Sequence, residues 1–143
     1  ILKQKQKIYN KKRQHIRNKQ DVERRKIDSS FRIMCSLRGR VCKLLHNIKG
    51  DRTIKLIGCS SLKLKEYLEK RFIEGMSWDN YGTIWEIDHI IPCSSFDFNK
   101  LENQYLCFHY TNMQPLFKTT TIAKSFGYSN QIGNRNKSSK LNG

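Results

Sequence analysis

The stretch IWEIDHII, residues 84–91, decides how this chain folds. Its β-branched residues alternate with polar ones, which predicts a β-strand, and Pro92 ends the strand. Adjacent strand residues point to opposite sides, so Asp88 and His89 are expected to face different sides of the strand end. A carboxylate beside an imidazole suits phosphodiester hydrolysis, in which a cation neutralises the phosphate and a base activates water. Taken alone the pair is weak evidence, because either residue also occurs as a hydrogen-bonded polar group near a core.

Helices are predicted both before and after this strand in the sequence. Ser29 and Ser30 are good caps for a helix that runs to about residue 49 and ends at Gly50, with one apolar and one basic stripe. Further helices are predicted at residues 53–57, 62–72 and about 100–107, followed by a loop through residues 112–115. Residues 1–27 are rich in Lys, Arg, Gln and Asn, so we expect an arm that is helical at most when bound.

The charge of the chain indicates a polyanionic partner. Residues 1–52 hold 17 Lys or Arg against 4 Asp or Glu, whereas residues 53–143 hold 11 against 8, for a formal net charge of +16. A basic run is often only a solvated face, but this density favours contact with nucleic acid. A membrane surface is disfavoured, because the first 26 residues have few large apolar side chains. The candidate phosphate contacts are Lys11, Lys12, Arg13, Arg17, Arg24, Arg25, Arg32, Arg40, Lys43 and Lys137.

The five cysteines show neither a disulfide framework nor a zinc ribbon, because their number is odd and no pair has C-x-x-C spacing. Cys35 and Cys42 are seven residues apart and are expected to be small core residues. Cys93 and Cys107 together with His109 match no known zinc spacing. Free thiols suit a reducing, intracellular compartment, and no window offers 18 consecutive apolar residues for a membrane span.

Several spaced blocks of the chain together resemble the HNH endonuclease family. They are WEIDHIIP at residues 85–92, SFD at 95–97 and CFHYTNMQPL at 107–116. Upstream, LIGCS at 56–60, LEKRF at 68–72 and GMSWDNYG at 75–82 are similar to the segment that precedes this motif in phage, viral and mobile-intron members. The resemblance covers residues 55–116 in a consistent order.

The resemblance implies an α+β fold in which two strands and a short helix surround one divalent cation, Mg²⁺ or Mn²⁺. This ββα-metal unit would occupy a nuclease domain at residues 53–143, after a basic arm and an amphipathic nucleic-acid-binding helix at residues 1–52. The resemblance further implies that Asp88 binds the metal and His89 is the general base. Asn112 would brace the loop and help orient the histidine.

The third motif residue departs from the family pattern. About nine residues after Asn112 the family places His or Asn, but this chain has Thr121, with Lys124 following. The family's Asn-x-x-Lys-Ser form recurs downstream in NRNKS, residues 134–138, which favours Asn134 as the ligand, with Asn136 as a second candidate. His109 is expected to pack a loop, and Glu86 is expected to be an exposed strand residue.

The expected function is therefore a metal-dependent endonuclease that nicks double-stranded DNA. The alternative is a decayed HNH-fold protein that binds RNA as a structural subunit of a larger nucleoprotein complex. The two differ in one observable, which is metal-dependent nicking of a supercoiled plasmid.

Overall fold

The structure is a computed structural model that describes residues 1–134. In this part the chain mixes helices with a two-stranded antiparallel sheet, which confirms the α+β class. The elements in chain order are α1 Leu2–Ile27, α2 Ser29–Leu44, α3 Thr53–Ile57, α4 Ser61–Glu69, β1 Trp85–His89, α5 Leu101–Phe108, β2 Met113–Phe117 and α6 Thr120–Ser125. Short 3₁₀ turns at Cys93–Ser95 and Tyr110–Asn112 flank α5.

The first element, α1, is a continuous helix of 26 residues rather than an arm that is helical only when bound. Lysine, arginine and glutamine have high helix propensity, and that preference outweighs the scarcity of apolar residues in this segment. Side-chain amide bonds one turn apart, Gln6 to Asn10 and Gln14 to Asn18, add local support. No residue of α1 is buried, so the helix presents nearly all of its surface to solvent.

Asp28 separates α1 from α2 and caps the second helix in place of the predicted serines. Its backbone is extended, and its carboxylate accepts hydrogen bonds from the Phe31 amide at 3.0 Å and the Ser30 hydroxyl at 2.7 Å. The Phe31 bond first, and then the Ser30 bond, lower the pKa of Asp28 from 3.8 to about 2. An ionised cap satisfies one of the amides that have no partner within the first turn.

The second helix is shorter than predicted. It ends at Leu44, and Asn47 adopts a positive φ of 60° where the chain turns away. The apolar stripe lies along Ile33, Met34, Leu37 and Val41. Cys42 is exposed and Cys35 is half-buried, so the prediction that both are core residues is wrong for Cys42.

The next two helices follow the sequence signals closely. The third helix, α3, ends where Gly58 takes a left-handed conformation with φ of 78°, which glycine adopts without a Cβ clash. Ser60 then caps α4 by accepting a hydrogen bond from the Lys63 amide at 3.2 Å. Helix α4 ends at Glu69, three residues before the predicted end at Phe72.

Strands β1 and β2 pair antiparallel, in a register that runs from Trp85 opposite Phe117 to His89 opposite Met113. The prediction of a loop through residues 112–115 is wrong from Met113 onward, because Met113–Phe117 forms β2, as the family resemblance implies. The main core joins this sheet to α2, α4 and α6, so it includes residues on both sides of position 52. Its buried side chains are Ile33, Met34, Leu37, Ile57, Leu64, Leu68, Met76, Trp85, Ile87, Met113, Phe117 and Ala123.

Within residues 1–134, none of the helices combines the length and the hydrophobicity that a bilayer crossing requires. The longest of them, α1, is also among the most polar parts of the chain.

Candidate active site

Asp88 and His89 are the last two residues of β1, and both are buried, with 5% and 7% of their surface exposed. Gln114, which faces Asp88 across the sheet, donates a hydrogen bond from Nε2 to Asp88 Oδ2 at 2.9 Å. The His89 ring packs edge-on against Phe108, with ring centroids 6.1 Å apart. The carboxylate and the imidazole are therefore held at one end of the sheet by neighbours on β2 and α5.

Asn112 joins three parts of the site. Its Nδ2 donates to the carbonyl oxygens of Cys107 at 2.9 Å and Ile91 at 3.1 Å, and its Oδ1 accepts from the Ile91 amide at 2.9 Å. Its own carbonyl accepts from the Ile90 amide at 2.9 Å. These bonds fix the residues after β1 against the end of α5.

Two of the three candidates for the third motif position, Thr121 and Asn134, follow residues that contact each other in the fold. Thr121 is exposed in the first turn of α6. Beyond α6 the chain turns back, and the Gly133 amide donates to the Thr120 hydroxyl at 3.1 Å. This return places Asn134 beside β1, where its Nδ2 donates to Glu86 Oε2 at 3.3 Å. Asn136 lies outside the described residues, as does Lys137.

Glu86 is half-buried, so the prediction of an exposed strand residue is wrong. Besides the Asn134 bond, its Oε1 lies 3.9 Å from Lys118 Nζ. Since alternate strand residues share a face, Glu86 and Asp88 belong to the same side of β1. Asn134 thus brings an amide to the side of the strand that carries the two carboxylates.

A second group near His89 was missed by sequence reasoning. A ring nitrogen of His89 and the sulfurs of Cys93 and Cys107 all lie within 4.8 Å of one another, and this His/Cys/Cys group could hold a metal ion. The Cys107 thiol donates to Cys93 Sγ at 3.3 Å. That bond, helped by His89 and Arg40, lowers the pKa of Cys93 to about 5, while it raises the pKa of Cys107.

His109, whose spacing from these cysteines matches no zinc pattern, lies outside this group. Its ring packs against Gly58, where an added Cβ would meet the imidazole at 2.7 Å, and its Nδ1 lies 2.7 Å from the Thr111 hydroxyl. This agrees with the expected role of His109 in packing a loop. The feature that distinguishes the His89, Cys93 and Cys107 group is the burial of His89, which the sequence of a short strand does not reveal.

The basic residues divide between surface and interior. Arg32 donates to the Trp78 carbonyl at 2.9 Å and lies over the Tyr81 ring, and Arg40 donates to the Ile87 carbonyl at 3.0 Å. Both arginines are half-buried, and α2 uses them to satisfy backbone carbonyls of the packed domain, while their contact with phosphate stays a prediction. The exposed members of the predicted set are Lys11, Lys12, Arg13, Arg17, Arg24, Arg25 and Lys43.

Comparisons with known proteins find two viral relatives. No family model matches the chain, and neither does a solved structure. The chain is 38% identical over 117 residues to the uncharacterized protein L246 of Acanthamoeba polyphaga mimivirus, which covers 82% of this chain and 52% of that protein. It is 37% identical over 117 residues to the uncharacterized protein L426 of the same virus, covering 80% and 51%. The chain thus spans about half the length of the curated relatives it matches.

Proposed function

We propose that this protein is a metal-dependent endonuclease of the HNH type that nicks one strand of duplex DNA per site. The observation that carries the proposal is the buried Asp88–His89 pair at the end of β1, braced through Asn112 and followed by β2 and α6. The order of two antiparallel strands and a helix is the one that the family resemblance implies. The exposed positive charges of α1 supply a surface suited to the phosphate backbone.

The donor set on the Asp88 side of β1 fits a hard cation. Asp88 brings carboxylate oxygens and Asn134 brings an amide, while Glu86 adds a second carboxylate nearby. Oxygen ligands are those that Mg²⁺ and Mn²⁺ prefer. Bound there, the cation would offset negative charge that develops on the scissile phosphate and the leaving 3′ oxygen.

Three residues of the chain would carry out proton transfer and positioning. His89 accepts a proton from the attacking water, and its Nε2 is buried with no hydrogen-bond partner among residues 1–134. Gln114 fixes the orientation of the Asp88 carboxylate through its hydrogen bond. Asn112 sets the path of the chain that follows His89, so it acts as a positioning residue.

A plasmid assay tests the proposal. The purified protein is incubated with supercoiled DNA and Mg²⁺, with an EDTA reaction beside it. We expect nicked circular DNA in the reaction with Mg²⁺ and none in the reaction with EDTA. His89→Ala and Asp88→Asn should lower the nicking rate by about 100-fold or more, as removal of a general base or a metal ligand does, while DNA affinity changes only a few-fold.

Two control variants show whether the effect depends on the position of the residue or only on its type. His46→Ala and Asp97→Asn alter exposed residues of the same types and should nick at the wild-type rate. Nicking that survives in His89→Ala, or that persists in EDTA, would rule out the proposed mechanism.

One observation favours a second candidate, a structural RNA-binding protein with a decayed site. The motif position on α6 carries Thr121, whose hydroxyl is a poor substitute for an amide or imidazole ligand. Tight binding of RNA with no nicking of DNA under any divalent cation would support this candidate over the nuclease.

A further inference from the structure

We propose that His89, Cys93 and Cys107 form a zinc-binding site distinct from the oxygen-rich side of β1 where the proposed magnesium would bind. The three side chains come from three separate places in the chain. His89 ends β1, Cys93 begins the 3₁₀ turn that follows Pro92, and Cys107 lies in the last turn of α5. Nitrogen and sulfur donors in this combination are typical of zinc rather than of magnesium.

The distances are close to those that zinc needs. Tetrahedral zinc with bonds of about 2.3 Å to sulfur and about 2.0 Å to nitrogen holds its ligand atoms roughly 3.5–3.8 Å apart. The two sulfurs lie 3.3 Å apart, and all three ligand atoms lie within 4.8 Å of one another. Shifts of less than about 1.5 Å in side-chain positions would therefore complete the three bonds, with the fourth position left for water.

The surroundings favour a rigid site. Cys107 is fully buried, Cys93 is half-buried, and His89 has only 7% of its surface exposed. Asn112 ties the carbonyl of Cys107 to the Ile91 backbone, which lies two residues from both His89 and Cys93. A buried polar atom that has no partner is costly, and His89 Nε2 is such an atom within residues 1–134. A zinc ion accepts a lone pair of the imidazole ring and binds the two cysteines as thiolates, whose protons are released to the solvent, so its chemistry matches the donors of this group.

The site also has a consequence for the proposed nuclease, and this part of the inference rests on the proposed function. A histidine that donates a ring lone pair to zinc loses the free base that water activation requires. Zinc bound to the two cysteines would therefore switch off hydrolysis without touching Asp88, so zinc and magnesium would have opposite effects through opposite sides of one strand.

The first experiment uses cobalt as a spectroscopic substitute for zinc and needs no nuclease activity. The full chain, with its thiols reduced under anaerobic conditions, is titrated with Co²⁺. We expect a thiolate-to-cobalt charge-transfer band and the visible bands of tetrahedral cobalt, both abolished when one equivalent of Zn²⁺ is added.

Single substitutions locate the site. Cys93→Ser and His89→Ala should weaken or remove the cobalt bands, whereas Cys42→Ser, which changes an exposed cysteine of α2, should keep them. Cys93→Ser is preferred to a change at Cys107 because Cys93 is only half-buried, and circular dichroism confirms that each variant is folded. A wild-type spectrum without charge transfer, or a spectrum that Cys93→Ser leaves unchanged, would overturn the site.

The second experiment tests the link to hydrolysis. Plasmid nicking with Mg²⁺ is measured at increasing Zn²⁺, each variant being compared with its own rate without zinc. Half-inhibition of Cys93→Ser should need about tenfold more zinc than the wild type, because one thiolate ligand is removed. Equal inhibition would refute the switch while the cobalt result still stands. A protein that never nicks would refute the nuclease and leave the cobalt result to decide the zinc site.

Discussion

Asn112 shows how much of the site depends on one amide. Three hydrogen bonds run from its side chain to Ile91 and Cys107, and the residue is 8% exposed. Asn112→Ala would leave the buried Cys107 carbonyl and the Ile91 amide without these partners. We expect the free energy of unfolding to fall by about 1–3 kcal/mol, measured by urea denaturation.

Asn130→Ala is the matched control for this change, since Asn130 is exposed. It should alter the unfolding free energy by less than about 0.5 kcal/mol, as surface substitutions generally do. If the two variants were equally stable, Asn112 would not be the brace of the site.

Residues of the proposed nuclease site could be selected from the sequence because they lie in two short, ordered blocks. Asp88 and His89 are adjacent, and Asn112 sits in a block of its own. The His89, Cys93 and Cys107 group could not be found in that way, because steps of four and fourteen residues match no zinc pattern. Only the folding of α5 back against the end of β1 brings the second sulfur near the imidazole.

Among the helices, the contribution of the Asp28 cap at the junction of α1 and α2 can be tested by measuring stability as a function of pH. Asp28→Ala removes the cap of α2, and we expect a decrease of about 0.5–2 kcal/mol in unfolding free energy near neutral pH. The folded pKa of Asp28 is about 2, below its ordinary value of 3.8. The stabilisation is therefore complete above pH 3.8 and declines as the pH falls toward 2. Urea denaturation at several pH values should show the two proteins converging in acid.

Asp28→Asn separates the cap from its charge. Asparagine accepts the same hydrogen bond from the Phe31 amide but does not titrate, so this variant should keep most of the stability of the wild type near neutral pH. The difference in unfolding free energy between Asp28→Asn and Asp28→Ala should then stay constant with pH. If the difference between the wild type and Asp28→Ala were unchanged in acid, this would contradict the lowered pKa of Asp28.

The junction between α3 and α4, which carries local stop signals, was predicted well, whereas elements that depend on a distant partner were not. Gly58 and Ser60 mark the end of α3 and the start of α4 by backbone chemistry that the sequence displays. Strand β2 contains Pro115, and its pairing with β1 is a long-range event that local propensity does not report. Helix α6 is only six residues long and owes its position to packing, including the stacking of Phe126 on Phe117.

At the scale of the whole molecule, α1 stands apart from the core, because none of its residues is buried. Deleting residues 1–20 keeps Arg24, which lies 4.1 Å from the Phe31 ring, and the Asp28 cap. We therefore expect the unfolding free energy to change by less than about 1 kcal/mol, since the deletion exposes little buried surface. The affinity for duplex DNA should fall, and the slope of log K against log salt should decrease by about 0.9 for each phosphate that the shortened chain no longer neutralises.

Substitution of Lys55, Lys65 and Lys70 by glutamine is the control for this deletion, since it removes positive charge outside α1. It should leave the salt slope close to that of the full chain. A truncated protein that binds DNA with unchanged affinity and salt dependence would show that α1 does not form the DNA-binding surface.

The close approach of Gly133 to the start of α6 determines where this part of the chain can change in length. A side chain at position 133 would collide with the Thr119 backbone, so the two ends of the intervening segment are held together. Ser129 and Asn130 lie at the far side of this excursion, where an insertion disturbs no buried group. Lengthening a closed loop is inexpensive, at about 0.6 kcal/mol for each doubling. Extra residues inserted here would therefore leave Asn134 beside Glu86, so this position in the fold does not require a fixed number of residues after Asn112.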